Sequence, residues 1–150
     1  MSGYYKRPAE TAEALRDGWL YTGDIGRFDA EGYLVISDRK KDMAIVSGYN
    51  VYPREVEEAL FCHPGVREAA VIGVPDSYRG EVLQAYVIAE EGVDEHELAS
   101  FLAQRLVKYK WPAGIHLVSE LPRTGVGKID KKTLRVMTAK KTTENGHANT

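Results

Sequence analysis

The spacing of apolar residues predicts two amphipathic helices. The first, residues 53–63, begins at a proline, which suits the first helical position, and stops before Pro64-Gly65. The second, residues 94–107, begins with Asp94 as a capping residue, and Glu97 supplies the acidic third residue of a capping box. The apolar positions on the two helix faces are Val56, Ala59, Leu60, Leu98, Phe101, Leu102 and Leu106.

Shorter apolar runs predict the strands. Residues 24–28 and 33–37 flank a polar turn and predict a β-hairpin. The nearly continuous apolar run at 82–89 predicts a central strand. The remaining predicted elements are helices at 8–16 and 133–139 and strands at 43–46 and 115–118.

The run at residues 66–74 has the alternation of a strand with one apolar face. One residue breaks the pattern, because the charged Glu68 falls on that apolar face. The apolar positions of the face are Val66, Ala70, Ile72 and Val74.

The order of these elements predicts an α+β fold, in which two main helices pack on a small mixed sheet and a β-hairpin precedes them. Residues 38–42 are five consecutive charged residues, which the core of a sheet would not accept, so this segment is interpreted as a junction. The predicted organisation is an N-terminal segment at 1–37, the junction, a second domain at 43–136 and a disordered tail at 137–150.

Composition limits the classes of function. The chain has 150 residues, of which 43% are hydrophobic and 28% are charged, as in an ordinary folded domain. Its net charge of -2 gives no support to nucleic-acid binding, which usually shows a basic balance. The single cysteine, Cys62, cannot form an internal disulfide, and no apolar run is long enough for a membrane span or a signal core. These features predict a cytoplasmic protein without a membrane span.

The segment Gly125-Val126-Gly127-Lys128 is a candidate for phosphate chemistry. Its glycines predict a flexible loop whose backbone can approach a ligand closely, and the lysine adds a mobile cation. It is not a Walker A loop, because Pro122 stands where that pattern needs glycine and Ile129 where it needs Ser or Thr. The alternative is an exposed glycine turn with a solvated lysine, and the residues alone leave both interpretations open.

Other segments carry candidate chemistry with a simpler alternative beside each. Asp24 follows an apolar run, where a carboxylate could accept the two hydroxyls of a ribose or simply form a turn. Residues 38–42 could be a solvated turn, and Ser47-Gly48-Tyr49 is a tight turn by default. Cys62-His63 has no further Cys or His at metal-ligand spacing, so no metal site is predicted. The cations interpreted as a solvated terminal helix face are Lys131, Lys132, Arg135, Lys140 and Lys141.

Four segments in one order resemble the C-terminal part of the adenylate-forming superfamily, which includes acyl-CoA synthetases, luciferases and the adenylation domains of peptide synthetases. The resemblance covers about residues 3–135, and within the superfamily it is strongest to medium- and long-chain fatty acyl-CoA synthetases. The four segments are residues 18–24, 38–42, 47–57 and 121–129.

Members of this superfamily join a carboxylic acid to ATP, release pyrophosphate, and then transfer the acyl group to the thiol of CoA. The resemblance implies that Lys128 stabilises charge in the first step and that Asp24, with Arg39 nearby, binds the ribose. It also implies that Asp38 is the hinge about which the C-terminal domain rotates between the steps. The Ser47-Gly48-Tyr49 turn would then line the path of the pantetheine arm.

The resemblance further implies a partner outside this sequence. The superfamily's phosphate loop, adenine pocket and acyl pocket lie upstream, so we expect a fragment that is inactive as an isolated chain. Residues up to about 37 would be the end of its own N-terminal domain, which would bind most of the ATP, its Mg²⁺ and the carboxylic acid. Two alternatives remain: a stand-alone module without catalysis, and a fragment of an adenylation domain that loads a carrier protein.

Overall fold

The computed structural model of the chain describes residues 1–145 and has two compact units, residues 1–41 and the residues from Asp42 onward. The fold is mixed α+β, as predicted. The chain passes from one unit to the other between Lys41 and Asp42, inside the charged segment. Of the tail predicted at 137–150, residues 146–150 lie outside the described part of the chain.

The first unit combines one helix with two antiparallel strand pairs. Its elements are α1 (Pro8–Ala14), β1 (Leu15–Arg16), β2 (Trp19–Leu20), β3 (Asp24–Phe28) and β4 (Leu34–Arg39). Strand β1 pairs with β2, and β3 pairs with β4 in the hairpin that the sequence predicted. The side chain of Asp29 closes the hairpin loop, because its Oδ1 accepts the N–H groups of Glu31 and Tyr33 at 3.0 and 2.9 Å.

The second unit contains the mixed sheet. Its elements are β5 (Ala44–Val46), β6 (Tyr49–Val51), α2 (Pro53–Phe61), β7 (Val66–Asp76), β8 (Gly80–Ala89), α3 (Glu95–Ala103), β9 (Gly114–Leu117) and α4 (Lys131–Asn145). The strand order is β6-β5-β8-β7 with antiparallel pairing, and β9 lies parallel beside β8. Strand β8 pairs with β5, β7 and β9, which confirms its predicted central position.

Both faces of this sheet are covered. Helices α2 and α3 pack on one face around a core that includes Leu60 and Leu98. Leu134 of α4 packs on the other face with Leu121 and Tyr86. A strand that is buried on both faces needs no polar side, which explains the continuous apolar run of β8. Helix α4 is therefore a third layer beyond the two main helices that the sequence predicted.

Strand β7 departs from the predicted alternation at its first residue. The pairing of β7 with β8 shifts between Val66 and Glu68, which is a β-bulge. One extra residue reverses the direction of the preceding side chain, so Val66 packs against the core beneath α2 and α3. The prediction that Val66 shares a face with Ala70 and Ile72 was wrong for this reason.

Several helix ends also differ from the prediction, and those of α3 and α4 differ most. Helix α3 begins at the predicted cap, where Asp94 Oδ1 accepts the Glu97 N–H at 2.7 Å, but it ends at Ala103 instead of 107. Helix α4 continues to Asn145, through residues expected in the disordered tail. Part of that extension is held by Thr138, whose hydroxyl lies 2.6 Å from the hydroxyl of Tyr86 on the sheet. This contact joins residues far apart in sequence, so local patterns do not reveal it.

Candidate functional site

Asp24 and Arg39 form an ion pair across the β3–β4 hairpin. Arg39 Nε lies 3.2 Å from Asp24 Oδ1, and the two side chains are 59% and 27% exposed. An ion pair in contact with solvent contributes little to stability. Either partner can therefore turn toward a ligand at small cost, and the structure brings together the two residues predicted to bind a nucleotide.

A β-bulge decides which charge lies opposite Asp24. The pairing of the two strands is regular from Phe28 to Gly26, and its continuation would place Asp38 opposite Asp24. The register shifts beyond Gly26 and brings Arg39 there instead. Because like charges directly opposite each other destabilise a strand pair, the bulge replaces a repulsive pair by an attractive one.

An open cavity of about 970 Å³ lies beside Asp24 within the first unit. Its lining includes Thr22, Tyr21 and three cations, Arg7, Arg16 and Lys40, together with two further carboxylates, Glu10 and Glu13. The guanidinium carbon of Arg16 lies 4.5 Å from the centre of the Tyr21 ring. Carboxylates, a hydroxyl, an aromatic ring and cations around one cavity suit a polar ligand.

Asp38 lies inside strand β4 and is only 7% exposed. Its Oδ1 accepts the N–H of Arg39 at 2.7 Å, and residues Lys40–Asp42 form a single 3₁₀ turn. The first two residues of the segment interpreted as a junction therefore belong to a strand. They fit because β4 belongs to a two-stranded hairpin, in which Arg39 can pair with Asp24 and reach solvent.

Ser47 and Gly48 form the two-residue turn between β5 and β6, as the sequence predicted. Both residues have a positive φ, 51° for Ser47 and 85° for Gly48, as a type I′ turn requires. The Ser47 N–H donates a hydrogen bond to the Arg79 carbonyl at 2.8 Å. A Cβ atom on Gly48 would meet no atom within 4 Å, so this surface of the turn is open. Tyr49 begins strand β6 and stacks on Tyr109, with ring centres 4.4 Å apart.

Lys128 lies on a short hairpin whose backbone is hydrogen-bonded. The N–H of Thr124 donates to the Lys128 carbonyl at 2.7 Å, and the N–H of Gly127 donates to the Thr124 carbonyl at 2.8 Å. Gly127 has a φ of +83°, which explains the glycine at that position. The Lys128 side chain is exposed and makes no hydrogen bond or ion pair with the described residues. The backbone of this segment is thus a hydrogen-bonded turn.

The base of this hairpin is fixed on both sides. Leu121 is buried before it, and the Pro122 carbonyl accepts the Asp130 N–H at 2.7 Å. Asp130 then caps α4, because its carboxylate accepts the N–H of Thr133 at 3.0 Å and the hydroxyl at 2.8 Å. These two bonds, the backbone one first, lower the pKa of Asp130. The position of Lys128 is therefore set by a buried residue before the hairpin and a capped helix after it.

Two cations of α4 were wrongly assigned to a solvated face. Lys131 Nζ lies 2.8 Å from Glu57 of α2, and Arg135 Nη2 lies 3.0 Å from Asp42 at the start of the second unit. All four side chains are at most 33% exposed, so these pairs hold α4 in place. Sequence patterns miss them because the partners are far apart in the chain. Of the other three lysines of that predicted face, Lys132 is exposed, and Lys140 and Lys141 lie outside the residues whose side chains are described.

The buried titratable residue His63 has structural partners. His63 is buried, its Nε2 lies 3.1 Å from Glu97 Oε1, and its Nδ1 accepts the Gly65 N–H at 3.2 Å. Across the described part of the chain, His, Cys, Asp and Glu form no group of three or more that could hold a metal ion. No helix within residues 1–145 is long and apolar enough to cross a bilayer.

The chain is similar in sequence and in structure to known proteins. Residues 55–128 match the profile of a family described as the AMP-binding enzyme C-terminal domain. A long-chain-fatty-acid–CoA ligase from Bacillus subtilis is 52% identical over 149 residues, which are 98% of this chain and 26% of the ligase. A feruloyl-CoA synthase from Amycolatopsis is 48% identical over 137 residues, 90% of this chain and 28% of the synthase. The crystal structure of ATP-bound MatB from Rhodopseudomonas palustris matches with a TM-score of 0.83 at 40% identity, over 90% of this chain and 27% of that one. The chain thus spans about a quarter of the length of these relatives.

Proposed function

Because the chain belongs to the family of AMP-binding enzyme C-terminal domains, we propose that it is the C-terminal lid of an ATP-dependent acyl-CoA synthetase. The observation that carries the proposal is the presentation of Lys128. Its exposed ammonium group stands on a hydrogen-bonded hairpin between a buried leucine and a capped helix. A lysine that serves only to keep a surface solvated needs no such support.

In the first half-reaction, a carboxylate oxygen attacks the α-phosphorus of ATP. The bond from that phosphorus to the oxygen of pyrophosphate breaks, and pyrophosphate leaves with the electron pair. Negative charge gathers around the α-phosphate in the transition state, where the ammonium group of Lys128 stabilises it. Because the hairpin backbone is already closed by hydrogen bonds, only the side chain of Lys128 must be ordered for this contact.

Asp24 accepts hydrogen bonds from the two ribose hydroxyls of the nucleotide, and Arg39 stays close to the ribose. Support comes from the ion pair between these residues, which is partly open to solvent, and from the adjacent polar cavity. We expect most contacts to ATP and its Mg²⁺ to come from the N-terminal domain of the same enzyme. The small share of the relatives' length that this chain spans supports that expectation.

In the second half-reaction, the CoA sulfur attacks the acyl carbon, the acyl–phosphate bond breaks, and AMP leaves. Asp38 is the hinge whose backbone rotates between the two steps, and Ser47-Gly48-Tyr49 lines the path of the pantetheine arm. The open surface at Gly48 supports the second role, because a thin arm can approach a residue without a side chain closely.

The proposed acid is a fatty acid, supported by the identity to the Bacillus subtilis ligase. The feruloyl-CoA synthase shows that relatives of similar identity act on a different acid. The test is to assay the complete enzyme that carries this chain with ATP and acids of several classes. Pyrophosphate release would report adenylation, and thioester formation would be measured with CoA and with a carrier protein separately. Activity only with a carrier protein, or only with an aromatic acid, would overturn this part of the proposal.

Asp24→Asn is expected to weaken ATP binding. Asparagine keeps the shape of the side chain but loses the charged acceptor, so the KM for ATP should rise by about tenfold, the scale of one hydrogen bond to a charged group. The matched control is Glu31→Gln, which neutralises an exposed carboxylate in the loop of the same hairpin. Equal KM values for the two variants would remove Asp24 from the nucleotide site.

A further inference from the structure

Glu68 is a charged residue on the apolar face of strand β7. It shares that face with Ala70 and Ile72, which are fully buried. The bulge beside Glu68 turns Val66 toward the opposite face. A residue that breaks the local pattern in this way is expected to have a specific partner.

The partner of Glu68 is Arg123, at the base of the Lys128 hairpin. Arg123 Nη2 lies 2.7 and 2.5 Å from the two carboxylate oxygens of Glu68. Its other terminal nitrogen, Nη1, donates to the Gly127 carbonyl at 3.0 Å. One guanidinium group therefore ties the turn of the hairpin to the sheet.

The Gly127 carbonyl belongs to the peptide plane that leads directly into Lys128. Because that plane is rigid and contains the N and Cα atoms of Lys128, a hydrogen bond on its oxygen helps to fix the position of the atom that carries the Lys128 side chain. We propose that Arg123, anchored by Glu68, is a positioning residue for Lys128 in the adenylation step. This inference rests on the proposed function of Lys128.

The chemistry of arginine suits this role. Its planar group donates in several fixed directions at once, so it can hold a carboxylate and a carbonyl together, whereas a lysine presents one compact charge. The pair is 45% and 36% exposed, and an ion pair with that exposure adds little to the stability of the fold. Its contribution lies in the orientation of the hairpin.

The experiment replaces Arg123 by glutamine in the complete enzyme and measures the two half-reactions separately. We expect kcat for adenylation to fall by about tenfold, because a small displacement of a catalytic group is costly. Thioester formation from supplied acyl-adenylate and the thermal midpoint should stay unchanged. Arg123→Lys should give an intermediate rate, and Glu68→Gln should act in the same direction as Arg123→Gln. The matched control is Arg67→Gln, which breaks the neighbouring exposed pair of Arg67 with Glu90 and should leave both half-reactions unchanged.

A double variant separates this inference from the proposed function. If Arg123 acts through Lys128, Arg123→Gln should cause no further loss of adenylation in the Lys128→Ala background. A normal adenylation rate for Arg123→Gln, together with a slow Lys128→Ala, would overturn the positioning role and leave the proposed function intact. Equal losses in both half-reactions with a lowered thermal midpoint would make Arg123 a purely structural residue. A normal rate for Lys128→Ala would overturn both proposals.

Discussion

Replacement of Lys128 by alanine is expected to slow acyl-adenylate formation by about a hundredfold or more, the cost of removing one preorganised donor from a transition state. The loss should appear in kcat, because the contact stabilises charge that develops only as the bond to pyrophosphate breaks. Thioester formation from supplied acyl-adenylate should be nearly unchanged, since that step develops no new charge on a pyrophosphate leaving group. The two half-reactions are measured separately, by pyrophosphate release and by thioester formation.

Lys132→Ala is the matched control, because Lys132 is an exposed lysine in the first turn of α4, close to Lys128 in the chain. It should retain both half-reactions. If Lys128→Ala leaves adenylation within about threefold of the unmodified enzyme, Lys128 is a solvated surface residue and its assignment here is wrong.

The elements that could be predicted are those whose signals are local. Helix α2 begins at its predicted proline, and the cap of α3 forms between Asp94 and Glu97, which are three residues apart. The type I′ turn at Ser47-Gly48 is equally local, because its geometry depends on the backbone preferences of two residues. The strand that follows at Tyr49–Val51 was not predicted, because its apolar pattern is too short.

The parts that could not be predicted depend on contacts distant in sequence. In the sequence, Glu68 interrupts the apolar face of an alternating strand without any visible reason. The structure shows that its partner is Arg123, 55 residues away in the chain. Arg135 and Asp42 are 93 residues apart, so the basic residues of α4 looked like a solvated face. Such contacts determine which face of the sheet α4 covers, so the composition of the helix does not predict it.

The candidate site likewise has a part that could be predicted from the sequence and a part that could not. The hairpin that carries Asp24 could be predicted, but its regular register would have placed Asp38 opposite Asp24. Only the bulge brings Arg39 to that position, and a bulge leaves no reliable mark in a short run of residues. The resemblance of motifs grouped Asp24 with Arg39 as nucleotide-binding residues, whereas the structure supplies the physical reason that they lie together.

Asp38→Pro is expected to impair thioester formation at least about tenfold more than adenylation, because a fixed hinge blocks the change between the two states. Proline holds φ near -65°, so the backbone at this position could no longer rotate about φ between the half-reactions. The location of Asp38 makes the test demanding, since it lies inside β4 and is almost fully buried. Proline also removes a backbone N–H, so the thermal midpoint of the variant must be measured beside its two rates.

The matched control for the hinge is Asp38→Ala, which removes the same carboxylate and the same acceptor for the Arg39 N–H but leaves φ free to change. If backbone rotation is the role of this residue, alanine should affect the two half-reactions about equally, and proline alone should separate them. Because both variants lose the carboxylate, the difference between their rates reports the freedom of the backbone to change φ. Equal losses in both half-reactions for the proline variant, with an unchanged thermal midpoint, would place the hinge elsewhere in the chain.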